Sequence, residues 1–341
     1  MVNEKVKEII KDEPAFVKST DLAAEKLGGK TLFCTDDFFA EKENLIKPGR
    51  GIFIEEKFTD RGKWMDGWES RRKRGPGHDW VVIQLATQGQ ITGLDIDTHF
   101  FLGNHPPFAS VEAVNLERHA VVEDWEAVPW TEIVSKNSLD AGSHNYFEVK
   151  NPTIFTHVRL HIYPDGGVAR FRVYGNVFID WNKVSVNETI DLASVLWGAS
   201  PLCCNDMFFS SMENLLMPGK GLNMGDGWET KRNRTPNNKD WVIIKLGIPG
   251  VIEKIIVDTA HFKGNYPDSC TIEACMSHND EDVIAGKVEW VTLLPLQKLE
   301  ADREHIFEHE ISHKPVSSHV RLNIFPDGGV SRLRLMGKKQ A

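Results

Sequence analysis

The chain has 341 residues, 41% hydrophobic and 26% charged, enough to bury one large core or two domain-sized ones and too apolar for a disordered chain. Its formal net charge of -9 argues against a nucleic-acid binder, which needs a broad surplus of Lys and Arg, so an anionic ligand would have to meet a local basic cluster. No apolar run approaches the ~20 residues that span a bilayer, and the charged start MVNEKVKEII is unlike a signal segment. A cytoplasmic protein without nucleic-acid or membrane partners is expected, with organellar delivery left open.

Residues 1–18 read as an N-terminal extension, helical over 3–12, and a second helix is expected over 19–27 with Ser19 to Asp21 as N-caps. The segment around FIEEKFTDRG reads as a surface loop. Beyond it the texture is β: WVVIQL, QITGLDIDTHF, FASVEAV and YFEVK are short, rich in β formers and separated by Gly, Pro and Asn. In HVRLHIYPDGG, Val158, Leu160 and Ile162 alternate with Arg159, His161 and Tyr163, the period of a half-buried strand. The PDGG that follows is expected to close a hairpin, with Phe171 and Val173 of the return strand inward and Arg170 and Arg172 on the opposite face.

The same phrases then recur. Of the 19 positions in HVRLHIYPDGGVARFRVYG (157–175), 13 are unchanged in HVRLNIFPDGGVSRLRLMG (319–337), and DGWESRRKRGP (66–76) returns as DGWETKRNRTP (226–236) with 7 of 11 residues kept. The chain is a duplication: a first repeat over 19–176, a linker over 177–188 and a second repeat over 189–338. From Gly51 to Asp66 the first copy is ten residues longer than the second is from Gly221 to Asp226. With no regular helical crossovers, each copy is expected to be an all-β sandwich.

The DGWE block gathers carboxylates (Asp66, Glu69), an indole (Trp68) and guanidinium groups (Arg72, Arg74), with Asp226, Glu229, Trp228, Arg232 and Arg234 as counterparts. Arginine suits an anion because its planar fork gives a carboxylate two parallel hydrogen bonds. The plainer alternative is a sandwich corner held by ion pairs with an exposed basic face. The hairpin arginines, Arg170 and Arg332 among them, are as easily an ion-paired strand face as ligand contacts. Asp165 and Asp327 are expected to bond backbone N–H groups at their turns. Asp97, His99 and His105 could offer metal ligands or proton-transfer groups; in the second copy Asp258 and His261 remain while His105 aligns with Tyr266, a shift that weakens a metal site. No cofactor is demanded by the pattern, and a divalent metal is left possible. The five cysteines (Cys34, Cys203, Cys204, Cys270, Cys275) lack C-x-x-C spacing and read as buried thiols.

Taken together, KWMDGWESRRKR with the following PGHDWVVIQL, the DTHFFLGNHPP segment and the PDGG phrase resemble the allantoicase family from about residue 20 to 337. The resemblance implies a tandem jelly-roll fold of the galactose-binding-like type, often oligomeric, and a ureohydrolase of purine breakdown that converts allantoate and water to ureidoglycolate and urea. On that footing Arg72 or Arg74, aided by Arg170, would clamp the substrate carboxylate beside Trp68. Asp66 and Glu69 would bind ureido N–H groups or activate water, and His99 or His105 would donate a proton. Asp226, Trp228, Glu229, Arg232, Arg234 and Arg332 would form a second site or a structural copy. The competing reading is a non-catalytic tandem sandwich that binds a small anion or sugar.

Overall fold

The structure, a computed structural model, describes residues 13–117 and 120–340. It divides into two compact units, one ending at Phe178 and the other beginning at Ile179. The first unit contains β1 (Thr20–Asp21), β2 (Lys30–Cys34), β3 (Phe58–Thr59), β4 (Gly62–Lys63), β5 (Trp68–Glu69), β6 (Asp79–Asp97), β7 (Phe108–Val114), β8 (Thr131–Ser138), β9 (Tyr146–Glu148), β10 (Ile154–Tyr163), β11 (Gly167–Val168) and β12 (Arg170–Val177). The second contains β13 (Ile190–Asp191), β14 (Ser200–Cys204), β15 (Trp228–Glu229), β16 (Asp240–Asp258), β17 (Ser269–Cys275), β18 (Val291–Lys298), β19 (Glu304–Phe307), β20 (Val316–Phe325), β21 (Gly329–Val330) and β22 (Arg332–Lys339).

Strand order repeats between the units: β1-β12-β6-β10-β7-β8 in one and β13-β22-β16-β20-β17-β18 in the other. Each is a jelly-roll sandwich organised by one 19-residue strand, β6 or β16. The first half of β6 bonds β2 and β10, with Val81 opposite Leu160; its second half bonds β9 and β12, with Ile96 opposite Phe171. The core lies between these layers. Val158, Leu160, Ile162, Phe171 and Val173 are all fully buried there. Strand β10 is not half-buried as its alternation predicts, because Arg159 and His161 on its other face are covered too.

Two expectations about local structure are corrected. Strands β10 and β12 do not pair with each other, because each bonds a different half of β6; PDGG carries the chain from one layer to the other instead of closing a hairpin. Residues 19–27 form β1 and a single 3-10 turn at Glu25–Leu27, not a helix. There Asp21 Oδ1 accepts the N–H groups of Ala23 and Val173, fastening the segment to β12. The helix expected over 3–12 lies outside the described residues. Of the cysteines, only Cys270 and Cys275 are buried; the other three are half-buried, and all five are free.

Buried histidines on the outer face of β10 make stability pH-dependent. His157 is 3% exposed, and burial pushes its pKa down to about 4, so the folded state holds it neutral. A histidine depressed on folding contributes fully above its unfolded pKa near 6.5 and loses that contribution as pH falls from there toward 4. We expect this residue to account for up to roughly 3 kcal/mol of acid destabilisation. Urea unfolding of the wild type and of His157→Gln at pH 7 and pH 4.5 checks this: the loss on acidification should be smaller in the variant.

Candidate active site

The corner formed by DGWE is assembled from distant parts of each repeat. Strand β5 pairs with β11, placing Glu69 opposite Gly167 and Trp68 opposite Val168, and the Glu69 backbone also exchanges hydrogen bonds with Ala40. The PDGG glycines permit this assembly. Gly166 has φ +140°, and a Cβ there would lie 2.7 Å from the carbonyl oxygen of Asn104; one on Gly167 would strike the Phe101 ring at 2.0 Å. Gly328 and Gly329 press on Asn265 and Phe262 in the same way. The repeated phrase is thus a packing demand: it lets the Gly-Asn loop close on the corner.

Asp66 and Arg170 lock the corner from beneath. Arg170 is 4% exposed, and its Nη2 donates to Asp66 Oδ2 at 2.7 Å while its other N–H groups reach the carbonyls of Gly49, Asp66 and Ala169. Asp66 Oδ2 also accepts from the Ile52 N–H at 3.0 Å. Asp226 and Arg332 repeat the pair at 2.8 Å, and Asp226 Oδ2 takes the Leu222 N–H. Trp68 and Trp228 are fully buried, with indole N–H groups donating to the carbonyls of Asp36 and Asp206. In these placements Trp68 and Arg170, both read from sequence as candidate ligand contacts, lie beneath the corner surface. Their polar atoms bond groups inside the protein and hold the corner together.

Glu69 faces a cleft of about 320 Å³, within the lower range of small-ligand pockets. Its polar lining is Glu69, Asn104 and Lys63; Phe39, Met65, Phe100 and Leu102 form apolar walls. Asn104 Nδ2 donates to Glu69 Oε1 at 2.7 Å. Burial raises the Glu69 pKa above the usual carboxylate value, only partly opposed by that hydrogen bond. Phe100 takes a left-handed backbone conformation with φ 66°, and His261, at the same place in the second copy, takes φ 73°. Such a turn is costly for a residue with a side chain, yet both repeats keep it.

The other candidates lie around this cleft without lining it. The His99 ring rests against Phe100 with centroids 3.9 Å apart, and its backbone N–H is held by Asp97 Oδ1. His105 is half-buried, its Nδ1 3.2 Å from the Leu102 carbonyl. Arg72 and Arg74 are exposed, as are Arg232 and Arg234, and none has an ion-pair partner among the described residues. Asp165 and Asp327 bond backbone N–H groups, though not at their own turns: they take those of Lys73 and Asn233, pinning the basic runs. Among the described residues no group of three or more His, Cys, Asp and Glu side chains stands in metal-holding geometry. In the second unit Asn265 again donates to Glu229, whose pKa burial also raises, and His261 Nε2 lies 2.8 Å from the Gly221 carbonyl oxygen.

Sequence reasoning missed Asn104 and Lys63. Asn104 had a signal, since GN recurs at 103–104 and 264–265 where the flanking Leu102 and His105 change to Lys263 and Tyr266. Lys63 opens the KWMDGWE stretch, but it has no like residue in the second copy, and nothing in the sequence places it at the cleft.

Comparison with known proteins agrees with this architecture. The allantoicase repeat family matches residues 20–178 and 190–340. A probable allantoicase of Pseudomonas fluorescens is 52% identical over 325 residues, covering 95% of this chain and 97% of the relative; one from Photobacterium profundum is 50% identical over 326 residues, covering 95% and 98%. The crystal structure of allantoicase from Saccharomyces cerevisiae superposes with a TM-score of 0.78 at 43% identity, covering 94% of this chain and 93% of the other. A matching duplication, the same fold and identity of about half over nearly the whole length lead to one conclusion: the chain belongs to the allantoicase family.

Proposed function

We infer that the protein hydrolyses allantoate to ureidoglycolate and urea. The observation that carries this reading is the Glu69 carboxyl, raised in pKa by burial and held by Asn104 at a small cleft, in a chain of this family. Allantoate carries a carboxylate and two ureido groups on one carbon. As one C–N bond breaks, its electron pair goes to the departing urea nitrogen, which takes up a proton. The retained ureido nitrogen donates its lone pair to the central carbon, and water adds there and loses a proton. Glu69 is the base for that water. Asn104 spends one N–H on Glu69 and keeps its side-chain oxygen as an acceptor for a ureido N–H. His99, against the Phe100 wall, is the candidate proton donor.

Of the residues read from sequence, Asp66, Trp68 and Arg170 support the corner, while His105, Arg72 and Arg74 lie outside the cleft lining. Assembly into a homo-oligomer and a cytoplasmic location belong to the same reading; no helix among the described residues is long and apolar enough to cross a membrane. Purified protein incubated with allantoate should release urea and ureidoglycolate in equal amounts. Allantoate binding without either product would favour the non-catalytic binder instead.

A further inference from the structure

The cleft holds a cation that makes no ion pair among the described residues. Lys63 ends β4 in the insert found only in the first repeat, and it is half-buried. Its Nζ sits 5.0 Å from the ring centroid of Phe53 and 4.6 Å from that of Phe58, and no carboxylate partners it among the described residues. Aromatic faces attract an ammonium without occupying its N–H groups, so its donors stay available. A partly desolvated charge of this kind gains most from an anionic ligand. The same cleft supplies Glu69 and Asn104.

The second unit keeps the acid–amide pair and lacks this cation. Between Gly221 and Asp226 its chain has only Leu222, Asn223, Met224 and Gly225. Lys263, at the place of Leu102, faces Asp302 at 3.8 Å, and Lys220 faces Glu304 at 3.7 Å.

We propose that the first repeat is the working copy and that Lys63 receives the carboxylate of the anionic substrate there, an anchor the second repeat does not have. This rests on the reading of the protein as an allantoate hydrolase with Glu69 in its cleft. It assigns substrate charge recognition to the insert and not to the arginines of the DGWE block.

The test compares full-length wild type, Lys63→Met and Lys63→Arg on allantoate and on its neutral methyl ester, following urea release. Loss of a charge-assisted contact should raise KM for allantoate about ten- to hundredfold in Lys63→Met while kcat changes far less. Lys63→Arg should recover most of the loss, and the ester should show the same KM in wild type and Lys63→Met. A KM for allantoate within about twofold of wild type in Lys63→Met would overturn the proposal, as would an equal KM rise for the ester. Calorimetric titration of allantoate into Glu69→Gln should give one site per chain; two sites would overturn the assignment to one repeat. Absence of urea release by the wild type would instead remove the underlying functional reading, and it would be seen before any variant is compared.

Discussion

Glu69→Gln is expected to lower kcat for allantoate by roughly 10²–10⁴-fold, the usual contribution of a positioned general base, with little change in KM. Gln is nearly isosteric and its side-chain oxygen can still accept the Asn104 N–H that now reaches Glu69 Oε1, so the corner should stay intact. What disappears is the titration. Burial holds the Glu69 carboxyl above its ordinary value of 4.5, so wild-type kcat/KM should rise with pH through a point above 4.5 as the base ionises. Residual activity of the variant should lack that acid limb. A pH profile that keeps the limb, or a kcat within a few-fold of wild type, would remove Glu69 from the chemistry.

Arg170→Ala should cost about 3–5 kcal/mol of stability, the penalty for stranding one partner of a buried ion pair. The Arg170 and Asp66 side chains are only 5% and 11% exposed, and the guanidinium also satisfies three backbone carbonyls. Without it Asp66 Oδ2 keeps only the Ile52 N–H named above. Lysine should not rescue the site, since a single ammonium cannot reproduce the planar fork. Urea denaturation provides the measurement, and Arg332→Ala should behave alike because its partner Asp226 is equally enclosed. Native stability combined with a selective rise in KM would return Arg170 to the role of substrate clamp.

These two residues mark what the sequence discloses. Duplication and strand texture are local and repeat themselves, so the two sandwiches and the inward positions of Val158, Leu160 and Ile162 could be read directly. The depth of the DGWE corner could not, because it depends on contacts more than 90 residues apart, such as Lys73 with Asp165 and Arg170 with Asp66. A Trp or Arg in such a motif looks like a ligand contact until the burial around it is known. The missed pairing of β10 and β12 has a similar cause: period-2 alternation tells which face a side chain takes and says nothing about which neighbour a long strand such as β6 will choose. Lys63 opens the KWMDGWE stretch, yet in sequence it reads as one more cation at the edge of a polar insert, and only its place in the lining of the Glu69 cleft distinguishes it.

The shared left-handed turn at Phe100 and His261 has a practical outcome. An unfavourable main-chain bend retained in both halves, with the same strand order around it, gives them a common frame at this turn. The second half therefore offers the same turn as a graft acceptor, and transplanting the Phe53–Lys63 stretch between Gly221 and Asp226 asks directly whether the insert alone adds a second functioning site.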